Sequence, residues 1–227
     1  MWTSLKGASI MNLKSGKMGI VKVCGMRDPE NIRQLGLIKQ VDFMGLIFHQ
    51  DSPRFVNVPP SFIQQAPHIK RIGVFVNKNY SEIVRTAGRF ELNLIQLHGD
   101  EDPELCARLA ERFQVIKAFR IDEDFDFSIL DDYAPHCKYF LFDADAAGDE
   151  FDGNNTKFNW DILKRYDIPV PFLLSGGIGP DDLELLQDFE HPDCVGINLN
   201  SGFEIEPAIK DIGKLSGFLN QLVCPTV

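Results

Sequence analysis

Short apolar runs recur along most of this chain, each followed by a mixed segment whose apolar positions return at helical spacing. The runs are Gly19 to Gly25, Val41 to Phe48, Lys70 to Val76, Leu92 to His98, Phe113 to Arg120, Tyr139 to Asp145, Val170 to Gly177 and Cys194 to Ser201. Between and after them, helix-like segments lie near residues 29–39, 59–67, 79–89, 101–112, 124–132, 160–166, 181–188 and 207–222. Several of these open on capping chemistry: Asp28 before Pro29, Asp100 near Glu101 and Pro103, and Pro180 with Asp181 and Asp182. Strands that alternate with helices pair in parallel through right-handed crossovers, and helices on the outer face leave each strand buried on both sides. Eight such units close into a ring, whereas an open doubly wound sheet stops at five or six strands. The pattern therefore predicts an α/β fold, a (β/α)8 TIM barrel over residues 19–227. Residues 1–18 are polar, with no stable period, and are expected to form a short flexible N-terminal extension.

Composition narrows the class without changing the fold. The chain has 227 residues, 44% hydrophobic and 25% charged, enough for one large core. A formal net charge of -10 without a basic cluster disfavours nucleic acid as a partner. No long apolar window and no signal-peptide core occur, so a cytoplasmic protein without membrane contact is expected. Cys24, Cys106, Cys137, Cys194 and Cys224 are odd in number and widely spaced, which predicts reduced thiols and no thiolate-rich metal site. The five histidines form no ligand pattern, and no metal is expected.

In a barrel, chemistry gathers where strands end and the loops to the helices begin. Those ends carry Cys24, Phe48, Asn77, His98, Arg120, Asp143 or Asp145, Gly176 with Gly177, and Asn200 with Ser201. Alternation along strands sets Lys22 with Cys24, Gln96 with His98, and Asp143 with Asp145 on common faces. Asp143 stands in an apolar run, where an ionised carboxyl needs a partner or a wet pocket. A lone cysteine is ordinarily a buried small hydrophobe, but Cys24 sits directly before Gly25 at a strand end. Gly176 and Gly177 after one strand, and Asn200, Ser201 and Gly202 after the next, provide an anion cradle at the position where barrels hold phosphate. Arg54, between Pro53 and Phe55, is either solvated surface or a fork for a ligand carboxylate. His98 is either a satisfied core histidine or part of a polar stripe with Gln96.

The segments KVCGMRDPE, GLIFHQDSPRFV, GVFVN, IQLHGDE, LFDAD, FNW, LLSGGI and NLNSGFE, in this order from about Ile20 to Lys214, resemble the phosphoribosylanthranilate isomerase family of tryptophan biosynthesis. The resemblance implies a cofactor-free Amadori rearrangement of a phosphorylated small molecule, with Asp143 as general acid, Cys24 as general base and Arg54 on the anthranilate carboxylate. It places Gly177 and Ser201 at the phosphate, and Gln96, His98 and Asn198 along the substrate. Two positions depart from the family pattern: Asn198 stands where relatives often have Asp, and Ala208 where a glycine is common after Pro207. Another phosphate-binding barrel, an epimerase or a Schiff-base aldolase using Lys22 or Lys117, and a catalytically silent barrel are the alternatives. The oligomeric state, monomer or homodimer, is not encoded in these patterns.

Overall fold

The computed structural model describes residues 19–144 and 159–223. Eight parallel strands close a ring in chain order: β1 (Ile20–Val23), β2 (Phe43–Ile47), β3 (Lys70–Phe75), β4 (Leu94–Leu97), β5 (Gln114–Ile121), β6 (Tyr139–Ala144), β7 (Phe172–Leu174) and β8 (Cys194–Leu199). Closure is made by β1 against β8, with Ile20 opposite Gly196 and Val23 opposite Leu199. All eight lie inside the runs read from sequence except β5, which extends one residue further to Ile121. The extension at residues 1–18, together with Asp145 and Cys224, lies outside the described residues.

The ring is surrounded by α1 (Pro29–Leu35), α2 (Pro60–Ile63), α3 (Tyr80–Phe90), α4 (Pro103–Ala110), α5 (Leu183–Asp188) and α6 (Ile212–Val223). Local chemistry starts them. Asp28 caps α1 by accepting from the Asn31 N–H, and Asn79 and Glu82 form a reciprocal capping box on α3. The cap of α4 is Asp102, with Pro103 in the first turn, rather than Asp100. After β5 and β6 the expected helices are replaced by 3-10 turns, Phe127–Asp132 and Trp160–Arg165. Aromatic bulk fills the space that longer helices would cover: Phe119, Phe140, Phe142, Tyr166 and Phe172 meet in a chain of edge-on and tilted contacts 5.1–6.5 Å apart. The last helix also starts later than its apolar pattern suggests. Residues 204–210 first form a small antiparallel pair, β9 (Glu204–Glu206) and β10 (Ile209–Lys210), turned through Ala208 at φ 71°.

The interior is divided along the barrel axis. Its lower half is an apolar plug from all eight strands: Ile20, Phe43, Ile72, Leu94, Ile116 with Ala118, Tyr139 with Leu141, Leu173 and Val195. Above it, on the same lumen faces, stand Lys22, Gln96, Arg120, Asp143, Ser175 and Asn198. Strict alternation from Val195 would turn Asn198 outward. A register shift between β7 and β8 inserts one residue, pairing Phe172 with Cys194 but Leu173 with Gly196, and brings Asn198 back to the lumen. Lys117, a lysine weighed for Schiff-base chemistry, points outward instead, between the lumen residues Ile116 and Ala118. It is buried in the helix layer against Glu101 at 3.3 Å and the Phe119 ring.

Candidate active site

Cys24 leaves β1 at the mouth of the barrel, 5% exposed, clustered with Ile47 and Val74 at the ends of β2 and β3. Its thiol fits there because β2 carries glycine alongside: a Cβ on Gly45 would lie 2.6 Å from Sγ. Beyond it the chain turns through Gly25 at φ 76°. Asp143 enters from β6, which β8 and β7 separate from β1 on the shorter side of the ring, and keeps 26% of its side chain exposed. That exposure places the carboxyl at the wet mouth rather than in the plug.

His98 follows β4 and connects the polar stripe to Asp143. Gln96 donates to its Nδ1 at 2.8 Å, which leaves the ring proton on Nε2, 3.6 Å from Asp143 Oδ2. Burial, reinforced by the positive charges of Lys22, Lys117 and Arg120, pushes the His98 pKa down to about 3. Its ring is therefore neutral near pH 7. Gln96 Oε1 is buried and has no partner among the described residues. On the other side of the lumen, the fully buried Lys22 donates to Asn198 Oδ1 at 2.7 Å, and Asn198 Nδ2 donates to Ser175 Oγ at 2.8 Å.

Arg54 is not surface. It is 5% exposed, and its Nε and Nη2 both donate to the carboxylate of Glu204, at 2.9–3.1 and 2.7 Å. Glu204 also accepts from Lys210 Nζ at 2.5 Å and from the Ala208 N–H. Burial alone would raise the Glu204 carboxyl, but Arg54 and Lys210 outweigh it and hold its pKa below the ordinary value. Lys210 in turn reaches Asn200 Oδ1 at 2.9 Å. A Cβ at Gly25 would strike Arg54 Cδ at 2.7 Å and Asn200 Oδ1 at 2.8 Å, so this cluster lies against the backbone next to Cys24.

The two glycine loops touch. Gly176 and Gly177 adopt φ of 88° and 62°, the left-handed region that favours a residue without a Cβ. Gly202, in the 3-10 turn after β8, packs so tightly on the β7 loop that a Cβ would lie 2.5 Å from the Ile178 carbonyl oxygen. Asp182 fixes the β7 loop further on by accepting from the Gly179 N–H at 2.7 Å.

A family model described as N-(5'phosphoribosyl)anthranilate (PRA) isomerase matches residues 21–221. The chain belongs to this isomerase family. The N-(5'-phosphoribosyl)anthranilate isomerase of Parabacteroides distasonis is 44% identical over 92% of this chain and 95% of its own length. That of Phocaeicola vulgatus is 47% identical over 89% of this chain and 97% of its own. Among solved structures, phosphoribosyl anthranilate isomerase from Thermotoga maritima is 27% identical with a TM-score of 0.75, covering 90% of this chain and 98% of the other. As a member of the isomerase family the chain is an enzyme.

Of the residues singled out from sequence, this isomerase brings Cys24, Gln96, His98, Asp143 and Asn198 to one end of the lumen, with Arg54 and the glycine loops around them. The side-chain oxygen of Asn200, a residue expected at the phosphate, accepts from Lys210 Nζ. Glu204 and Lys210 carried no expected role. The one available signal was the buried counter-ion that a non-surface arginine requires, and Glu204 stands 150 positions from Arg54 in the chain. Among the described residues no three His, Cys, Asp or Glu side chains gather as a metal-ligand set, and no helix is long and apolar enough to cross a membrane.

Proposed function

We propose that Asp143 and Cys24 carry the acid and base steps of the Amadori rearrangement that this family performs in tryptophan biosynthesis. The substrate is N-(5'-phosphoribosyl)anthranilate and the product 1-(2-carboxyphenylamino)-1-deoxy-D-ribulose 5-phosphate. Asp143, protonated, gives its proton to the furanose oxygen as the ring C–O bond breaks and the nitrogen lone pair forms an iminium. Cys24, as thiolate, takes the C2' proton, and the electrons left behind neutralise the iminium to an enolamine. Reprotonation at C1', with loss of the proton from the 2'-hydroxyl, gives the ketone, so no redox cofactor or metal is required.

The observation that supports this reading is the division of the barrel interior into an apolar floor and a polar chamber. Cys24 and Asp143 enter that chamber on different strands, where an acid and a base can act on different atoms of one ligand. The neutral His98 ring adds no positive charge beside Asp143 that would favour ionisation of the acid. Gln96 Oε1 suits a ribose hydroxyl, since a buried acceptor left unpaired costs about 1–3 kcal/mol. Asn198 supports the sugar region through Lys22 and Ser175. In the same reading Arg54 receives the anthranilate carboxylate. The backbone around Gly176, Gly177, Asn200, Ser201 and Gly202 receives the phosphate, despite the engaged Asn200 side chain. The enzyme works as a monomer or homodimer in the cytoplasm, without nucleic acid, and residues 1–18 are an extension to the barrel.

The test is single-turnover product formation from N-(5'-phosphoribosyl)anthranilate in the wild type, Cys24→Ser and Asp143→Asn, with ligand binding measured separately. Each substitution is expected to slow chemistry by at least roughly 100-fold while changing affinity much less. Near-wild-type chemistry in the serine variant would return Cys24 to a packing role.

A further inference from the structure

The acid and base steps make no use of the ion pair buried beside β4 and β5. Lys117 and Glu101 lie in the helix layer, their side chains 3% and 2% exposed and 3.3 Å apart. A buried pair of this kind is often no more stabilising than apolar residues of the same volume, so what it holds in place matters more. Its polar atoms converge on one residue. Glu101 Oε2 accepts from the Gly99 N–H at 2.9 Å, and Lys117 Nζ donates to the Gly99 carbonyl at 2.6 Å and to the Ala118 carbonyl at 3.0 Å. Glu101 Oε1 accepts from the Asn77 N–H at 2.9 Å, and Asn77 Oδ1 accepts from the Asp100 N–H at 2.8 Å, which joins the loops after β3 and β4. The join is tight: a Cβ on Gly99 would lie 2.4 Å from Asn77 Oδ1. Gly99 directly follows His98, whose own N–H donates to the Phe75 carbonyl of β3 at 2.8 Å. The backbone on both sides of the His98 side chain is thus fixed, by β3 on one side and by the ion pair on the other.

We propose that Glu101 and Lys117 are positioning residues for the isomerase reaction: they clamp Gly99 so that the His98 ring stays between Gln96 and Asp143, in the tautomer that presents Nε2–H to the acid. Gln96 Nε2 reaches His98 Nδ1 at 2.8 Å only while the ring keeps its place, and that bond is what leaves the proton on Nε2, 3.6 Å from Asp143 Oδ2. A turn of the peptide after His98 would carry the ring off Gln96 and release the tautomer. The inference rests on the reading of Asp143 as the general acid, and it extends the machinery from the lumen to a pair of side chains behind it. Neither Glu101 nor Lys117 needs to touch the ligand. Both act through His98, as groups that orient a catalytic side chain from behind do elsewhere.

The test follows the His98 ring itself. Long-range nitrogen–proton spectra of the full chain, labelled with nitrogen-15 histidine and recorded at about pH 8, where an ordinary histidine is already neutral, report which ring nitrogen carries the proton. His98→Asn assigns the signal. Two variants disturb the clamp by different routes. Lys117→Met combined with Glu101→Gln removes both charges together, and Gly99→Ala drives the two loops apart at Asn77 without touching the pair. Each is expected to lose the single Nε2–H form, the two ring nitrogens moving towards a common averaged shift. Each should also lower kcat by at least about tenfold while KM changes less than about threefold. A pair that served stability alone would leave the spectrum and kcat of a folded variant at wild-type values. The wild-type pattern in either folded variant, or wild-type kcat in one whose pattern has changed, would overturn the proposal; if the double variant does not fold, Gly99→Ala decides. The acid reading fails separately: near-wild-type turnover in Asp143→Asn would remove it, while the His98 spectrum would still show whether the pair holds the ring.

Discussion

Cys24 Sγ occupies space that a side chain on Gly45 would need: a Cβ there would lie 2.6 Å from the sulfur and 3.1 Å from the Cys24 Cα. The thiol is thus placed by a missing methyl group on the neighbouring strand. Gly45→Ala should push the sulfur off its position with little change to the ring, because β2 is held by β1 and β3 through its backbone. Expected is a fall in kcat of about tenfold or more with a smaller change in KM, following the sensitivity of proton transfer to alignment. An unchanged kcat and a native thermal transition in the Gly45→Ala protein would show that the sulfur has freedom to spare.

His98 ties acid stability to the site. In the unfolded chain a histidine takes up its proton below about pH 6.5, whereas in the fold burial and the nearby cations delay this until about pH 3. The unfolded state therefore binds more protons between these values, and stability falls as the pH drops through the window. At pH 5 the cost from this one group is about 2 kcal/mol. Denaturant titrations of the wild type and His98→Asn at pH 7 and pH 5 check it: the variant should lose less stability on acidification. Parallel losses would place the His98 titration near its ordinary value.

Most of the barrel was legible because closure leaves a repeating signature, eight apolar runs at regular intervals. Cys24, His98 and Asp143 were legible for the same reason, since they end strands and strand ends form the mouth. Two kinds of feature were not. The 3-10 turns after β5 and β6 replace helices because Phe119, Phe142 and Tyr166 supply bulk across the sheet surface, a tertiary compensation that no local period records. The burial of Arg54 was not legible, because the carboxylate it pairs with comes from a hairpin far along the chain. Nothing in the spacing of Arg54 and Glu204 announces that they meet. Asn198 faces the lumen through a bulge in β8, which alternation alone does not encode.

The contact of Gly202 with the β7 loop makes a sharper probe of the phosphate site than a bulky replacement elsewhere. Gly202→Ala places a methyl group 2.5 Å from the Ile178 carbonyl oxygen and 2.9 Å from the Gly179 Cα, both backbone atoms that cannot rotate aside. The two loops should separate, and affinity for inorganic phosphate and for any phosphorylated pocket ligand should fall by at least about tenfold. Binding of a ligand fragment without phosphate, such as anthranilate, should change little. If phosphate affinity survives in a folded variant, the anion sits away from the junction of these loops.

Affinity for a carboxylated ligand, reduced 1-(2-carboxyphenylamino)-1-deoxyribulose 5-phosphate, compared with the same compound lacking its carboxyl group, should depend on the state of Lys210. Burial lowers its pKa to about 8, although Glu204 and Cys24 pull the other way; Arg54 adds to the lowering. The groups that face it are Glu204 from β9, Arg54 from the loop after β2, Asn200 from the loop after β8, Asn31 from α1 and Cys24 with Gly25 from the end of β1. Glu204, held low by Arg54 and Lys210, stays ionised far below this range. Lys210 thus carries its charge below about pH 8 and loses it above, which removes one positive charge from this end of the barrel. Calorimetry from pH 6.5 to 9.5 should show the carboxylated ligand weakening as pH rises through 8, by up to about tenfold, the scale of one charge-assisted hydrogen bond. Binding of the ligand lacking the carboxyl group should hardly follow, so the ratio of the two affinities removes other titrations, the phosphate's second ionisation included. Lys210→Arg should abolish the trend, since a guanidinium keeps its proton across the range. A ratio that falls in that variant as it does in the wild type would assign the titration to another group.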